Sequence, residues 1–313
     1  MGATGGHQKY DALVGACASL APLRTAVAHP CDAISLSAAV AAANAKLIQP
    51  TLVGPVERIR TLAASLNLDL SGLQLVNVPH SHAAAEKAVA MVRAGEADAL
   101  MKGSLHTDEL MAEVVRKDGG LRTDRRISHV FLMDVPTYAK PLMITDGAVN
   151  IFPTLEDKVD IVKNAIDLAH ALGIALPKVA ILSAIETITS KLPSTIDAAA
   201  LCKMADRGQI TGAILDGPLA LDNAISRDAA SAKHINSAVA GDADILVAPD
   251  MEAGNLLAKE LSFLAKADAA GIVLGARVPI ILTSRADSVR AHLASCALAA
   301  LFADAQRRRR ATA

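Results

Sequence analysis

Two short segments of this 313-residue chain hold residues whose types and order suit the handling of anions. Lys102-Gly103-Ser104-Leu105-His106-Thr107 follows an apolar run and opens a helical pattern. Its backbone N–H groups and the helix dipole can hold an anion. Lys102 stands directly after the strand, where a charge needs a partner or a solvent-filled cleft. The same residues also make an ordinary strand–helix turn with Thr107 as the cap. Thr283-Ser284-Arg285 ends the most apolar run of the chain, residues 278–282, and also precedes a helix. A guanidinium there can grip phosphate with two parallel hydrogen bonds, and a neighbouring hydroxyl can donate to an oxyanion. A serine N-cap beside a solvated arginine accounts for this segment equally well. Gly120-Leu121-Arg122-Thr123 places another arginine in a glycine-containing loop.

Residues at the ends of the other apolar runs are of the same kind. They are His29-Pro30-Cys31-Asp32, Thr145-Asp146-Gly147, Ser183 with Glu186, Asp216-Gly217-Pro218 and Pro249-Asp250. In open α/β sheets ligands bind beyond the carboxyl ends of the strands, so hydroxyls, glycine amides and both charge signs collected there point to a phosphate- or carboxylate-handling cleft. Several common machineries are missing. The chain has no GxGxxG after a strand, no GxxxxGK[ST], no GxSxG and no HExxH. Its nine histidines do not fall at metal-ligand spacing, and His80 and His82 read as loop and helix-start residues. Cys31 has Asp32 beside it instead of an activating cation, which argues against a covalent acyl-thiol route.

The elements that must position these residues alternate along the chain. Strand candidates are 25–28, 51–53, 73–76, 97–101, 127–133, 141–144, 178–182, 212–215, 244–247, 271–274 and 278–282. Most are continuously apolar, as strands covered on both faces are. Helical patterns lie between them: 155–172, with Thr154 as N-cap and Gly173 beyond its end, then 194–207, 253–269 and 288–302. Such alternation predicts a two-domain α/β chain of mainly parallel sheets flanked by helices. The pattern is interrupted around 146–153, which marks the domain boundary.

Composition excludes other classes. With 52% hydrophobic and 20% charged residues the chain builds a large core, and 2% aromatics make that core aliphatic. A net charge of −1 and so few rings argue against nucleic-acid binding. The run Arg307-Arg308-Arg309-Arg310 reads as a solvated terminus. Cys17, Cys31, Cys202 and Cys296 show neither zinc nor disulfide spacing, which fits a reducing cytoplasm. No signal-peptide pattern and no run of 18 apolar residues is present, so a soluble cytoplasmic protein is expected.

The strand ends also recur in a recognisable order: ALMKGS (99–104) with Thr107, GLRT (120–123) followed by ISHV (127–130), ITDGAVN (144–150), LSAIE (182–186), DGPLALDNAIS (216–226), APDMEAGN (248–255) and LTSRADS (282–288). In these segments the chain resembles the phosphate acetyl/butyryl transferase family over nearly its whole length. The resemblance implies an isocitrate/isopropylmalate dehydrogenase-like fold with the active site in the interdomain cleft. The first domain would comprise 1–147 plus 285–313, with 148–284 inserted as the second. It implies a homodimer that converts acyl-CoA and phosphate to acyl phosphate and CoA, with no metal or organic cofactor, metabolically paired with an acyl-phosphate kinase.

Carried onto this chain, the resemblance makes Ser284, Arg285 and Asp287 the catalytic set. Substrate would be held by Lys102, Gly103, Thr107, Arg122, Ser128, Asp146, Asp216, Asp222, Asp250 and Asn255. Arg285 and Arg122 would bind the phosphoryl group with Lys102 assisting, and Ser284 would serve the oxyanion or the thiolate. The acetyl branch has a thiol base seven positions beyond the serine, and that position is Ala291 here. The wording of GLRT and LTSRADS leans towards the butyryl branch. Asp287, Asp250 and Asp222 are replacement bases, with His106 and His129 behind them. Two other readings stand beside this one. A cation-dependent NAD(P) dehydrogenase of the same fold is suggested by Asp242, Asp244 and Asp250, although the first two flank a strand start and so lie at the opposite end from Asp250. A non-catalytic acyl-CoA-binding protein is suggested by Ala291.

Overall fold

The computed structural model describes residues 8–284 and 287–312. Its strands are β1 (Leu23–Ala28), β2 (Ile48–Gly54), β3 (Gln74–Asn77), β4 (Ala99–Lys102), β5 (Ser128–Asp134), β6 (Leu142–Thr145), β7 (Lys178–Leu182), β8 (Ile214–Leu219), β9 (Ile245–Val247), β10 (Asp268–Leu274) and β11 (Ile280–Ile281). Each overlaps one of the eleven expected runs. The helices are α1 (Gln8–Gly15), α2 (Ala33–Asn44), α3 (Val56–Ser65), α4 (Ser81–Arg93), α5 (Thr107–Val115), α6 (Leu155–Ala171), α7 (Pro193–Asp206), α8 (Leu221–Ile225), α9 (Arg227–Ala232), α10 (Met251–Phe263) and α11 (Val289–Thr312).

The chain divides into two compact units. The first comprises Tyr10–Arg125 with 270–312, and the second Arg126–Ala269 with the preceding residues 8–9. These boundaries differ from the expected 1–147 plus 285–313 and 148–284. The reason is strand pairing. β5 and β6 form an antiparallel pair, and β6 lies parallel to β9 with Ile144 opposite Leu246, which ties 126–147 to the second unit. β11 pairs with β10 and, in parallel, with β4, which returns 270–284 to the first.

In the first unit the strands run β3-β2-β1-β4-β11-β10, parallel except for β10 against β11. Ala26, Val27, Leu100, Met101, Ile280 and Ile281 are fully buried at its centre. Burial of a valine, leucine, isoleucine or methionine side chain contributes roughly 1.5–3 kcal/mol, so apolar strands supply the core without aromatic rings. Helix α11 packs on α2, with Cys296, Ala297, Leu298 and Ala299 wholly enclosed. In the second unit the order is β5-β6-β9-β7-β8, again parallel apart from one pair, over a core that includes Met133, Leu142, Ile144, Ala180 and Leu246.

Local signals explain where helices begin and end. Thr154 and Asp157 form a reciprocal capping box at the start of α6, and Gly173 follows that helix with a positive φ of 84°. Helix α10 starts earlier than expected because the Asp250 side chain accepts from Ala253 N at 2.9 Å. It also stops well before residue 269, since Lys266 takes a left-handed φ of 56° and β10 follows at once. Helix α11 runs past residue 302 through the four arginines, supported by Arg308 pairing Asp304 at 2.7 Å. No helix among the described residues is long and apolar enough to cross a membrane.

Candidate active site

The register of the first unit lines up three strand ends. Ala28 of β1 lies opposite Lys102 of β4, and Met101 lies opposite Ile281 of β11. His29, Lys102 and Thr283 therefore emerge at one carboxyl edge, the place where an open parallel sheet presents its ligands. Close approach requires the glycine between them. A Cβ on Gly103 would stand 2.4 Å from Ala28 O and 2.5 Å from His29 O. With hydrogen alone, Gly103 N donates to Ala28 O at 2.9 Å and Ser104 N donates to His29 O at 2.9 Å.

Ser104 then organises His29. A serine hydroxyl donates once, and Ser104 Oγ donates to His29 O at 2.8 Å. It must therefore accept from His29 Nδ1 at 3.0 Å, as it does from Cys31 N at 3.3 Å. The proton of His29 thus sits on Nδ1, and Nε2 carries the lone pair. Burial, followed by the Arg58 charge, lowers the His29 pKa and keeps the ring neutral. Its backbone sits at φ 54°, an uncommon conformation for a side chain of this size and one that tends to collect at functional sites.

Lys102 is 4% exposed and donates to the carbonyls of Gly103 at 3.2 Å and Leu105 at 3.5 Å. Two buried polar atoms on this edge find no partner among the described residues: Thr283 Oγ1 and Glu109 Oε2. Orphans of this kind are rare in folded proteins, and each is a point where a water, an ion or a ligand can complete the bonding. Ser284 is exposed, and its N–H donates to Asp287 Oδ2 at 2.7 Å, which makes Asp287 the staple of the loop before α11. Arg285 lies outside the described residues. Ala291 occupies the first turn of α11, its N–H held by Ser288 Oγ at 3.2 Å. Next to it His292 donates from Nδ1 to Ser288 O at 3.0 Å, and burial lowers its pKa. Thr107 is the first residue of α5 and not its cap. The cap position belongs to His106, which makes no side-chain capping bond, so the first N–H groups of that helix lack a side-chain acceptor.

Other expected residues lie elsewhere. Arg122 bridges Ala276, and Arg277 N donates to Leu121 O at 2.9 Å, so the 120–123 loop meets the chain ahead of β11, at the amino edge of the sheet. This corrects the expectation that Arg122 joins Lys102 on phosphate: in a parallel sheet the two strand ends face opposite ways. Cys31 is buried and its thiol pKa is raised by that burial, which removes the thiolate a covalent route needs.

In the second unit several expected substrate ligands are committed to internal bonds. Ser128 is fully buried and accepts from Asn164 Nδ2 at 2.8 Å, so it holds α6 to β5 and reaches no solvent. Asp146, 2% exposed, accepts from the backbone of Ala148, Val149 and Asn150 at 2.8, 3.0 and 3.2 Å and knots the loop after β6. Asn255 ties α10 to the same loop by donating to Gly147 O at 2.9 Å. Asp250 caps α10. Asp216 lies within β8, opposite Ala180, and accepts from Gly217 N at 2.8 Å.

Asp222 remains exposed beyond β8, paired with Lys233 at 2.9 Å, and Glu186 takes the same lysine at 2.7 Å. That hydrogen-bonded lysine holds both carboxyl groups below their ordinary pKa. Asn223 also donates to Glu186. His129 is fully buried edge-on to Phe131, which removes it as a proton acceptor for an incoming thiol.

Asp242 and Asp244 lie ahead of β9, at the opposite end of that strand from Asp250. They are bound by Lys178 at 2.5 Å, Lys140 at 2.7 and 3.1 Å and Arg227 at 3.2 Å. No three His, Cys, Asp or Glu side chains among the described residues are grouped to hold a metal ion.

Comparison with known proteins identifies the family. The model of the family described as phosphate acetyl/butaryl transferase matches residues 79–300. A phosphate acetyltransferase of Rhizobium meliloti is 64% identical over 299 residues, covering 96% of this chain and 95% of that protein. A phosphate butyryltransferase of Clostridium beijerinckii is 41% identical over 296 residues, covering 95% and 98%. Among solved structures, a branched-chain phosphotransacylase from Enterococcus faecalis matches with TM-score 0.77 at 30% identity, over 90% of this chain and 99% of that one. Alignment across nearly the full length at these identities means that the chain belongs to the phosphate acetyl/butaryl transferase family.

Proposed function

We propose that this chain transfers a short acyl group between coenzyme A and orthophosphate, with acetyl the preferred group, at the carboxyl edge of β1, β4 and β11. The observation that carries this reading is the alignment of a buried ammonium, Lys102, with the orphan hydroxyl of Thr283 on neighbouring strand ends. The acetyl preference is supported by the 64% identity to a phosphate acetyltransferase against 41% to a phosphate butyryltransferase.

In the forward direction a phosphate oxygen adds to the thioester carbonyl. The tetrahedral oxyanion then collapses, re-forming the C=O double bond as the C–S bond breaks and CoA leaves as the thiolate. Lys102 neutralises the phosphate, and the uncapped N-terminus of α5 adds backbone donors. Thr283 and Ser284 offer hydroxyls to the developing oxyanion. Arg285 enters as a second phosphate ligand through the resemblance to the family. In reverse, the CoA thiol must lose a proton. Ala291 supplies no carboxylate, and Asp287 is engaged with Ser284 N. His29 Nε2, neutral and with its lone pair fixed by Ser104, takes that proton.

No metal or organic cofactor enters these steps. The isocitrate/isopropylmalate dehydrogenase-like fold, the cytoplasmic setting, the homodimer and the pairing with an acyl-phosphate kinase belong to the same proposal. Four cysteines without a disulfide support the reducing setting.

The deciding experiment follows release of free CoA thiol from acetyl-, propionyl- and butyryl-CoA with and without phosphate. Phosphate-dependent release that is fastest with acetyl-CoA is expected. Saturable CoA binding with no release from any of the three would overturn the transferase reading in favour of a binding protein.

A further inference from the structure

Away from the reaction edge, at the amino edge of the first unit, five cations line one open cavity of about 560 Å³: Arg93, Arg116, Lys117, Arg122 and Arg277. Its remaining lining is Asp118 with Gly119 and Gly120, so the local charge is strongly positive and no ring or aliphatic side chain contributes. The chain as a whole carries a net charge of −1, which makes the concentration local.

Local folding brings these side chains together. Arg93 ends α4 and Arg116 follows α5, and two helix carboxyl ends attract positive charge. That accounts for two of the five. Arg122 and Arg277 arrive by a different route, through the bridge from Arg122 to Ala276 and the bond from Arg277 N to Leu121 O. The two glycines permit the approach: a Cβ on Gly120 would stand 2.3 Å from Arg116 O, and one on Gly119 would stand 3.0 Å from Arg93 Nη1.

Arg116 pairs with Glu113 at 2.7 Å and Glu86 at 3.8 Å. Among the described residues, the side chains of Arg93, Lys117, Arg122 and Arg277 have no hydrogen bond or ion pair. Like charges gathered around one hollow repel one another, and a bound anion removes that cost.

We infer that this cavity binds a compact polyanion carrying two or more phosphate groups. The volume lies in the range of small-molecule sites. Guanidinium forks match phosphate oxygens in pairs. With no ring to stack against, recognition is by charge, and a nucleotide would be held through its phosphate chain alone.

The test titrates the intact protein calorimetrically with inorganic tripolyphosphate, and separately with metal-free ATP, in wild type and in Arg93→Gln/Arg277→Gln. Both substituted residues are exposed, so the variant is expected to keep the wild-type melting temperature and wild-type turnover of acetyl-CoA. One site per chain is expected, with Kd raised about tenfold or more in the variant and binding weakened as salt shortens the screening length to ~8 Å. ATP should bind within a few-fold of tripolyphosphate. Equal Kd in wild type and variant overturns the inference. So does displacement of tripolyphosphate by saturating acetyl-CoA and orthophosphate, which would return it to the reaction edge. Binding of ATP with none of tripolyphosphate overturns it as well.

Discussion

At the scale of single residues, the proposed mechanism rests on two groups whose protonation and charge the fold controls. Lys102 is buried among backbone carbonyls at the strand end where the proposed mechanism places phosphate, so replacing it removes a positive charge that no neighbour on β4 supplies. Lys102→Met is expected to lower kcat/KM for phosphate ~10²–10³-fold, the usual loss when one pre-organised electrostatic contact is removed. Steady-state kinetics at fixed acetyl-CoA would show it, and unchanged phosphate saturation would remove Lys102 from the site. His29 carries a pH signature. Its pKa is pushed below the ordinary 6.5 by burial, then by Arg58. A neutral base is competent above its pKa, so the rate of CoA acetylation should rise with pH through a midpoint under 6.5 and then level off. His29→Asn, chosen because asparagine tolerates the left-handed backbone, should lose that acidic limb along with most of the rate. A variant with the wild-type profile would make His29 a spectator.

At the scale of elements, strand pairing and helix caps decide which side chains meet. Parallel pairing of β1 with β4 and of β4 with β11 sets His29, Lys102 and Thr283 on one edge, and the same pairing sends Arg122 to the other. In the second unit the starts of β7 and β9 are held by charge. Asp242 takes Lys178 and Lys140, and its pKa falls from 3.8 to about 2, chiefly through the bond from Lys178. A carboxyl whose folded pKa is depressed contributes stability above its unfolded pKa and loses it as pH falls through the folded one. Asp242→Asn should therefore be less stable than wild type at pH 7. The margin is at most roughly 1 kcal/mol, because the cluster is partly open to screening solvent. That margin should close as the pH falls from 3.8 to about 2. Urea melts across that range would test it, and a margin independent of pH would assign the loss to packing.

At the scale of the whole molecule, the enzyme needs no resident metal in the mechanism proposed. Phosphate-dependent release of CoA should persist at its full rate after exhaustive treatment with EDTA, with no reduction of NAD or NADP under any condition. Rate recovery only on adding a divalent cation would contradict it. Much of this protein was legible from residue order. Apolar runs overlapped all eleven strands among the described residues, most of them continuous because a strand buried on both faces tolerates few polar residues. Thr154 and Gly173 marked the two ends of α6, and the strand-end segments marked the family. Local patterns did not reveal which strands pair. The hairpin of β5 with β6 moved the unit boundary, and β10 with β11 carried residues 270–284 back to the first unit. Nor did they tell Ser128, Asp146 and Asn255, which serve the fold through internal bonds, from Lys102, Thr283 and His29, which emerge at the carboxyl edge of the first unit. Residue type and spacing are local properties, so they determined elements and family. Burial, hydrogen-bond partners and the edge at which a loop emerges arise from contacts distant in sequence, and only the tertiary structure decided them.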